Sequence, residues 1–279
     1  MASLPEFSRI VRFVPKSSPS RVLIGQPLQK ALDVGVATRR GEPVLVDIFS
    51  GISILSPGKA TGVIEIIDRI LSPLAQEEVG TIRCIGLNYK QHAAEVQMDI
   101  PSTPTVFLKP ATAIGDPWPA PTILPKLTQL DDCGDYESEL AVIIGKTAKN
   151  VSEAEALDYI LGYTAANDIS SRTSQLNQSQ WSFSKGFDGA CPLGPVVVST
   201  SVIPDISSLW LRGTKERQGS SRLWHQSTTL PAGTVIITGT PAGVGLGRTP
   251  KETLRHGDEF AVEILPHIGT LFNVFENEE

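Results

Sequence analysis

At 279 residues the chain is long enough for one large domain, or for a small one joined to a larger one. Its 41% hydrophobic and 19% charged residues are ordinary globular proportions, while 24 Gly and 21 Pro favour a turn-rich fold over a helical bundle. A net charge of −6 without a basic block argues against nucleic acid or an anionic membrane as the main partner.

Cys84, Cys133 and Cys191 are widely spaced, form no metal motif and read as reduced intracellular thiols. No apolar run approaches the roughly 20 residues of a membrane span, and the first 14 residues lack a signal core. A cytoplasmic protein is therefore expected.

In chain order, residues 8–14, 21–25 and 44–48 read as strands. Residues 63–71 place Val63, Ile66, Ile67, Ile70 and Leu71 at helical spacing, and Pro73 closes the segment, so a helix is predicted there. These elements make a small N-terminal domain over 1–78, a packing or oligomerisation module without chemistry, ahead of a larger unit over 79–279.

Residues 81–87 restart as a strand and run into a short helix carrying His92 and Glu95. One helical turn apart, the carboxylate can orient the imidazole and raise its basicity; such pairs also occur on solvated helices. Residues 96–105 form a polar loop of the kind that can move. Lys109, between apolar residues and a proline, either points into a site or lies on the surface.

The next stretch, Asp135-Tyr136-Glu137-Ser138-Glu139 followed by Leu-Ala-Val-Ile-Ile and Gly145, reads as a buried strand. Two residues apart on a strand, Glu137 and Glu139 leave the same face. Their repulsion and desolvation are offset either by a hard divalent cation or by a frayed strand end in water. Ser152 with Glu155 predicts a capped helix to about Leu161.

Residues 163–172 then form a strand delivering Asp168 and Arg172 to its end. Asp168 can complete a three-carboxylate oxygen site with Glu137 and Glu139, suited to Mg²⁺, Mn²⁺ or Ca²⁺ and poorly suited to zinc. Lys185, before Gly186, is either a binder of an anionic substrate or an exposed turn lysine. Strand 235–238 enters a Gly-rich loop over 239–245 that lacks the phosphate-loop signature. Its backbone amides and Thr240 could hold a carboxylate. Residues 260–264 and 271–275 close the chain as strands.

Five blocks in order resemble the fumarylacetoacetate hydrolase family. They are Gly-Leu-Asn-Tyr-x-x-His-x-x-Glu (86–95), Asp-Tyr-Glu-x-Glu-Leu-Ala-x-x-Ile-Gly-Lys (135–146), Asn-Asp-Ile-Ser-x-Arg (167–172), Lys-Gly-Phe-Asp with Cys-Pro-Leu-Gly-Pro (185–195), and Thr-Gly-Thr-Pro-Ala-Gly-Val-Gly (238–245). The resemblance covers residues 80–279.

It implies an α+β, β-rich fold, a mixed β-sheet roll with a small N-terminal domain, assembled as a homodimer. It also implies a divalent cation, Mg²⁺ with Mn²⁺ or Ca²⁺ as alternatives, on Glu137, Glu139 and Asp168. His92 and Glu95 match the acid/base pair on a segment that closes over substrate. Lys185 matches a substrate- or water-positioning lysine, and Arg172, Gln175 and Thr240 match residues holding substrate oxygens. Asp135 is expected only to shape the start of the strand.

The implied substrates are small 2-oxo or 1,3-dicarbonyl acids reacting through an enolate stabilised by the cation. Hydrolytic C–C cleavage of an acylpyruvate-like acid leads. Decarboxylation of oxaloacetate, or keto–enol tautomerisation or dehydration, shares the same enolate. A non-catalytic binding protein on the same fold is the reading outside enzymology. One departure stands out: the segment Gly213–Leu230 is short for the family, which bears on the pocket wall or the dimer contact.

Overall fold

Branched and aromatic residues make the strands that form the core of the fold, and short helices fill connections between them. The computed structural model describes residues 4–130, 133–213 and 228–279. The short 213–230 segment therefore lies largely outside the described residues.

One mixed sheet of 11 strands runs through the molecule. Its order is Leu23–Pro27, Leu45–Phe49, Ala60–Leu71, Arg9–Pro15, Cys191–Val198, Ile160–Asn167, Ser138–Ile144, Val235–Ile237, Ile82–Gly86 and Thr105–Lys109, with Ile114–Gly115 paired to Cys191–Val198. A four-stranded sheet is built from Trp210–Gly213, Glu259–Leu265, Gly269–Asn277 and Pro121–Leu124. The fold is α+β and β-rich, as expected.

Strand Ser138–Ile144 is buried along its whole length. Leu140, Val142 and Ile144 face one hydrophobic cluster with Tyr163, Val262 and Phe275. Ala141 and Ile143 face the other, with Ile82, Cys84, Val235 and Ile237. Each of these buried Val, Leu or Ile side chains contributes about 1.5–3 kcal/mol, so the strand is anchored from both sides.

Two expectations are corrected. Residues 63–71 belong to the strand Ala60–Leu71, not to a helix, and that strand pairs with Leu45–Phe49 on one side and Arg9–Pro15 on the other. Val and Ile lose little rotamer freedom on a pleated surface, and two waiting strand edges outweigh an i, i+3, i+4 spacing. After Ser152 the chain makes a 3₁₀ segment, Glu153–Tyr159, and enters a strand at Ile160. Ser152 Oγ bonds the Glu155 side chain instead of capping a backbone N–H.

The expected division near residue 78 is bridged by a shared sheet. Arg9–Pro15 pairs with Cys191–Val198 through Arg9 with Val198 and Ile10 with Val197. Asp33 caps the helix Val34–Arg39 by accepting from Val36 N, and also accepts from Thr270 N at 3.1 Å and Thr270 Oγ1 at 2.7 Å. One carboxylate thus ties the first part of the chain to the last strand.

Candidate active site

Strand register assembles the acidic cluster. Ser138 pairs with Asn167 in the antiparallel ladder, so Glu137 and Asp168 meet just beyond it, where the Asp168 N–H donates to the Glu137 carbonyl at 3.0 Å. On the other side Ala141 pairs with Ile237. Two residues further along, the Gly239 N–H donates to the Glu139 carboxylate. Glu137, Glu139 and Asp168 are buried, each with an oxygen within 4.8 Å of the others. These acids are not a frayed end in water.

Cations crowd two of the three. Lys185 Nζ lies 2.9 Å from Glu137 Oε1 and 2.9 Å from Asp168 Oδ2, and donates to Ser170 Oγ at 2.7 Å. Hydrogen bonds to Asp168 and Ser170 and the ion pair with Glu137 surround the ammonium with protein partners. Arg172 Nη1 reaches Glu137 Oε1 at 2.7 Å and Gln175 Oε1 at 2.8 Å, while Nε reaches Asp135 Oδ2 at 2.7 Å. Burial alone would raise the Glu137 carboxyl, but Lys185 and Arg172 hold it well below the usual carboxylate range. Burial likewise opposes charge on Lys185, and Asp168 with Glu137 keeps it more firmly protonated than a free lysine.

Glu139 differs. Burial first, then Asp168 and Glu137, push its carboxyl well above the ordinary range, and among the described residues no cation pairs with it directly. The clustered donors are all carboxylate oxygens, one of them lacking a cationic partner. That set matches a hard divalent cation, which prefers oxygen ligands.

Lys109 is placed differently from the expected substrate contact. Its ammonium has no solvent exposure, lies 2.6 Å from Asp168 Oδ1 and donates to the Ala190 carbonyl at 2.5 Å. It does not line the cavity next to the acids. Neither a surface residue nor a substrate-facing one, it backs Asp168 from the protein side.

Asp135 does more than shape a strand start. It accepts from Gly245 N at 2.8 Å, Leu246 N at 2.9 Å and Arg172 Nε, and is itself fully buried. The Gly-rich loop therefore directs its amides to protein carboxylates: Gly239 to Glu139, Gly243 to Glu95, and Gly245 with Leu246 to Asp135. These amides are engaged without a ligand, in contrast to the expected role in holding one. Thr240 Oγ1 accepts from Ser138 N at 3.1 Å, and the residue faces the cavity.

His92 and Glu95 lie on the helix Lys90–Glu95, with Nδ1 3.3 Å from Glu95 Oε2. The helix is docked on the Gly-rich loop, since both Glu95 oxygens accept from Gly243 N, at 2.9 and 3.0 Å. Leu87 and Gln97 bracket the helix in the left-handed backbone region, at φ of 53° and 57°.

A cavity of about 220 Å³ joins these groups. One end is lined by Glu137, Glu139, Arg172, Gln175, Lys185, His92 and Thr240. The other is apolar, built on Leu87, Met98, Phe107, Leu176 and Trp181. Sequence reasoning missed this apolar end, because Phe107 and Trp181 stand 74 positions apart with no shared pattern. The role of Asp135 had a signal, its place on the same period-2 face as Glu137 and Glu139.

Among the described residues no helix is long and apolar enough to cross a membrane. The pattern of the family described as Fumarylacetoacetate (FAA) hydrolase C-terminal matches residues 81–223 and 220–276. A caffeoylpyruvate hydrolase from Neonothopanus nambi is 41% identical over 98% of this chain and 94% of its own length. The oxaloacetate tautomerase YisK of Bacillus subtilis (strain 168) is 39% identical over 69% of this chain and 68% of its own. The solved structure of a fumarylacetoacetate hydrolase from the psychrophilic Exiguobacterium antarcticum has a TM-score of 0.75 at 27% identity, covering 98% of this chain and all of that one. With the site's motifs lying inside the matched span, the chain belongs to the fumarylacetoacetate hydrolase family.

Proposed function

We propose that the protein is an acylpyruvate-type hydrolase that cleaves a C–C bond through an enolate. The observation that carries this reading is the cavity lined both by Glu137 and Glu139 of the oxygen cage and by His92 of the histidine–carboxylate pair. Glu137, Glu139 and Asp168 would hold a divalent cation, Mg²⁺ in the first instance with Mn²⁺ or Ca²⁺ as alternatives, which when bound supplies Lewis-acid polarisation of substrate oxygens.

The chain's own groups do the rest. Arg172 lines the cavity and its Nη2 is buried with no hydrogen-bond partner among the described residues, so the guanidinium suits a substrate carboxylate oxygen, with Gln175 and Thr240 in the same lining. With its Nδ1–H donated to Glu95, His92 keeps Nε2 free to take a proton from water. The water oxygen adds to the distal carbonyl carbon, and the bond from that carbon to the central methylene breaks. Its electron pair becomes the pyruvate enolate. His92 returns the proton to the methylene carbon, so one acylpyruvate and one water give pyruvate and a carboxylic acid. Lys185, bonded to Asp168 and Ser170 and paired with Glu137, positions the carboxylates in this scheme.

Keto–enol tautomerisation of oxaloacetate is the second reading, supported by the likeness to the Bacillus tautomerase. It uses the same histidine to move a proton between carbon and oxygen without water addition. Incubating the Mg²⁺-supplemented protein with acetylpyruvate and with oxaloacetate separates the two. Loss of enol absorbance with stoichiometric pyruvate and acetate supports hydrolysis. Accelerated oxaloacetate enol decay without new acids, and an inert acetylpyruvate, would replace it. Assembly as a homodimer in the cytoplasm completes the proposal, and sedimentation at micromolar concentration tests the dimer.

A further inference from the structure

The apolar end of the cavity is built around an aromatic pair. Trp181 and Phe107 meet edge to face, with centroids 5.6 Å apart and planes at 69°. Gly86, the last residue of its strand, makes room for them: a Cβ there would stand 2.5 Å from Trp181 Cζ3 and 3.4 Å from Cε3 and Cη2. Any side chain at position 86 would displace the six-membered ring of the indole. The Lys185 ammonium sits 5.2 Å from the Phe107 centroid, so the aromatic wall begins where the charged end stops.

The ionisable side chains that line the cavity are Glu137, Glu139, Arg172, Lys185 and His92, all in the oxygen-cage network or its histidine pair. Around Trp181 the polar lining is neutral, Gln178 and Ser179. An anionic group placed against Trp181 would be desolvated beside neutral and aromatic lining, whereas a flat apolar group would bury its faces against rings.

We propose that this end is an acyl-group pocket selective for uncharged planar, aromatic acyl substituents, with Trp181 as its wall and Gly86 as the position that admits the indole. The inference rests on the acylpyruvate reading for the chemistry and on the cavity alone for the selectivity. It separates substrates that share one dioxobutanoate head and differ only beyond the distal carbonyl.

The test uses the full-length protein with Mg²⁺ and three probes: acetylpyruvate, benzoylpyruvate and succinylpyruvate, which carries a distal carboxylate. Benzoylpyruvate is expected to exceed acetylpyruvate by at least about tenfold in kcat/KM, and succinylpyruvate to fall below both, since burying an aromatic group against the rings is favourable and a buried carboxylate without a partner is strongly disfavoured. Trp181→Ala and Gly86→Ala are each expected to collapse the benzoyl-to-acetyl ratio, and Trp181→Phe to restore part of it. Equal ratios in the wild type and in Trp181→Ala, or a preference for succinylpyruvate, overturn the pocket. If no probe is hydrolysed, the hydrolase reading fails by itself. Titration calorimetry with the same probes then decides the pocket, tighter benzoylpyruvate binding lost in Trp181→Ala supporting it and indifference to the acyl group refuting it.

Discussion

The Lys109 ammonium stands 2.6 Å from Asp168 Oδ1 with no exposure to solvent, while the cavity-lining Lys185 takes the other oxygen, Oδ2, at 2.9 Å. Burial opposes its charge and Asp168 restores it, so the lysine is held protonated more firmly than a free one. Lys109→Met removes one of the two cations on Asp168. It should lower stability by about 3 kcal/mol, the low end for breaking a buried pair because Lys185 remains. Chemical denaturation measures this. A lysine that only touched substrate would leave the denaturation midpoint in place and raise KM, the opposite pattern.

Glu95 connects the histidine helix to the Gly-rich loop through Gly243 N and to His92 through Nδ1. Under the hydrolase reading, His92→Ala should lower kcat by about 10²–10⁴-fold, the usual worth of a general base. Glu95→Gln should lower it less, because an amide oxygen can still accept from Gly243 but no longer stabilises an imidazolium. Steady-state kinetics on acetylpyruvate ranks the two variants. Equal kcat in His92→Ala and the wild type would remove the histidine from the mechanism.

The proposed cation site has a readout independent of turnover. A cation that binds the folded state at 100 times its Kd adds about 2.7 kcal/mol of stability. Mg²⁺ or Mn²⁺ should therefore raise the melting temperature by several degrees, and EDTA should reverse the rise. Glu139→Gln keeps the shape of the site and removes one charged oxygen donor, so the rise should shrink or vanish. An undiminished shift in that variant would move the ion elsewhere.

Asp135 joins three elements, since it pairs with Arg172 and accepts from Gly245 and Leu246. Asp135→Ala removes the partner of a buried guanidinium nitrogen and of the Tyr136, Gly245 and Leu246 amides, and should cost about 3–5 kcal/mol. Because Arg172 also bonds Glu137 and Gln175, activity should fall even at temperatures where the variant stays folded. Thermal denaturation alongside a kcat/KM measurement checks both effects.

Thiol reactivity gives a pH-dependent prediction. Burial, with smaller contributions from nearby Asp168, raises the Cys84 thiol well above its usual value; burial pushes Cys191 up to about 12. The folded state thus holds these protons more tightly than the unfolded one. Their contribution to stability is constant below the unfolded thiol value of about 8.5 and is lost as pH rises from there toward the folded values. At pH 8 the native protein should react slowly with a disulfide reagent, and all three buried cysteines should react on denaturation. Rapid labelling of Cys191 in the native state would contradict this.

The chemistry of the site was largely written in local sequence. Glu137 and Glu139 share a face because strand periodicity is two, and His92 with Glu95 share one because a helical turn is close to four. Residues 63–71 show the limit of such reasoning, since their helical spacing gave way to two strand edges supplied by residues 9–15 and 45–49. Local pattern carries no information about which edges will be available.

What the amino-acid order alone determined was the inventory: three oxygen donors, a histidine pair, a β-rich fold and the family those motifs resemble. Tertiary structure decided how that inventory is used. The pairing of Ser138 with Asn167 brings Asp168 to Glu137, and the chain's return at 239–246 turns its amides onto Glu139, Glu95 and Asp135. Lys109 is sealed behind Asp168, and Trp181 closes over Gly86. These are contacts between residues tens to more than a hundred positions apart. They depend on register and burial, which arise only when the strands pair, and no window of neighbouring residues contains them.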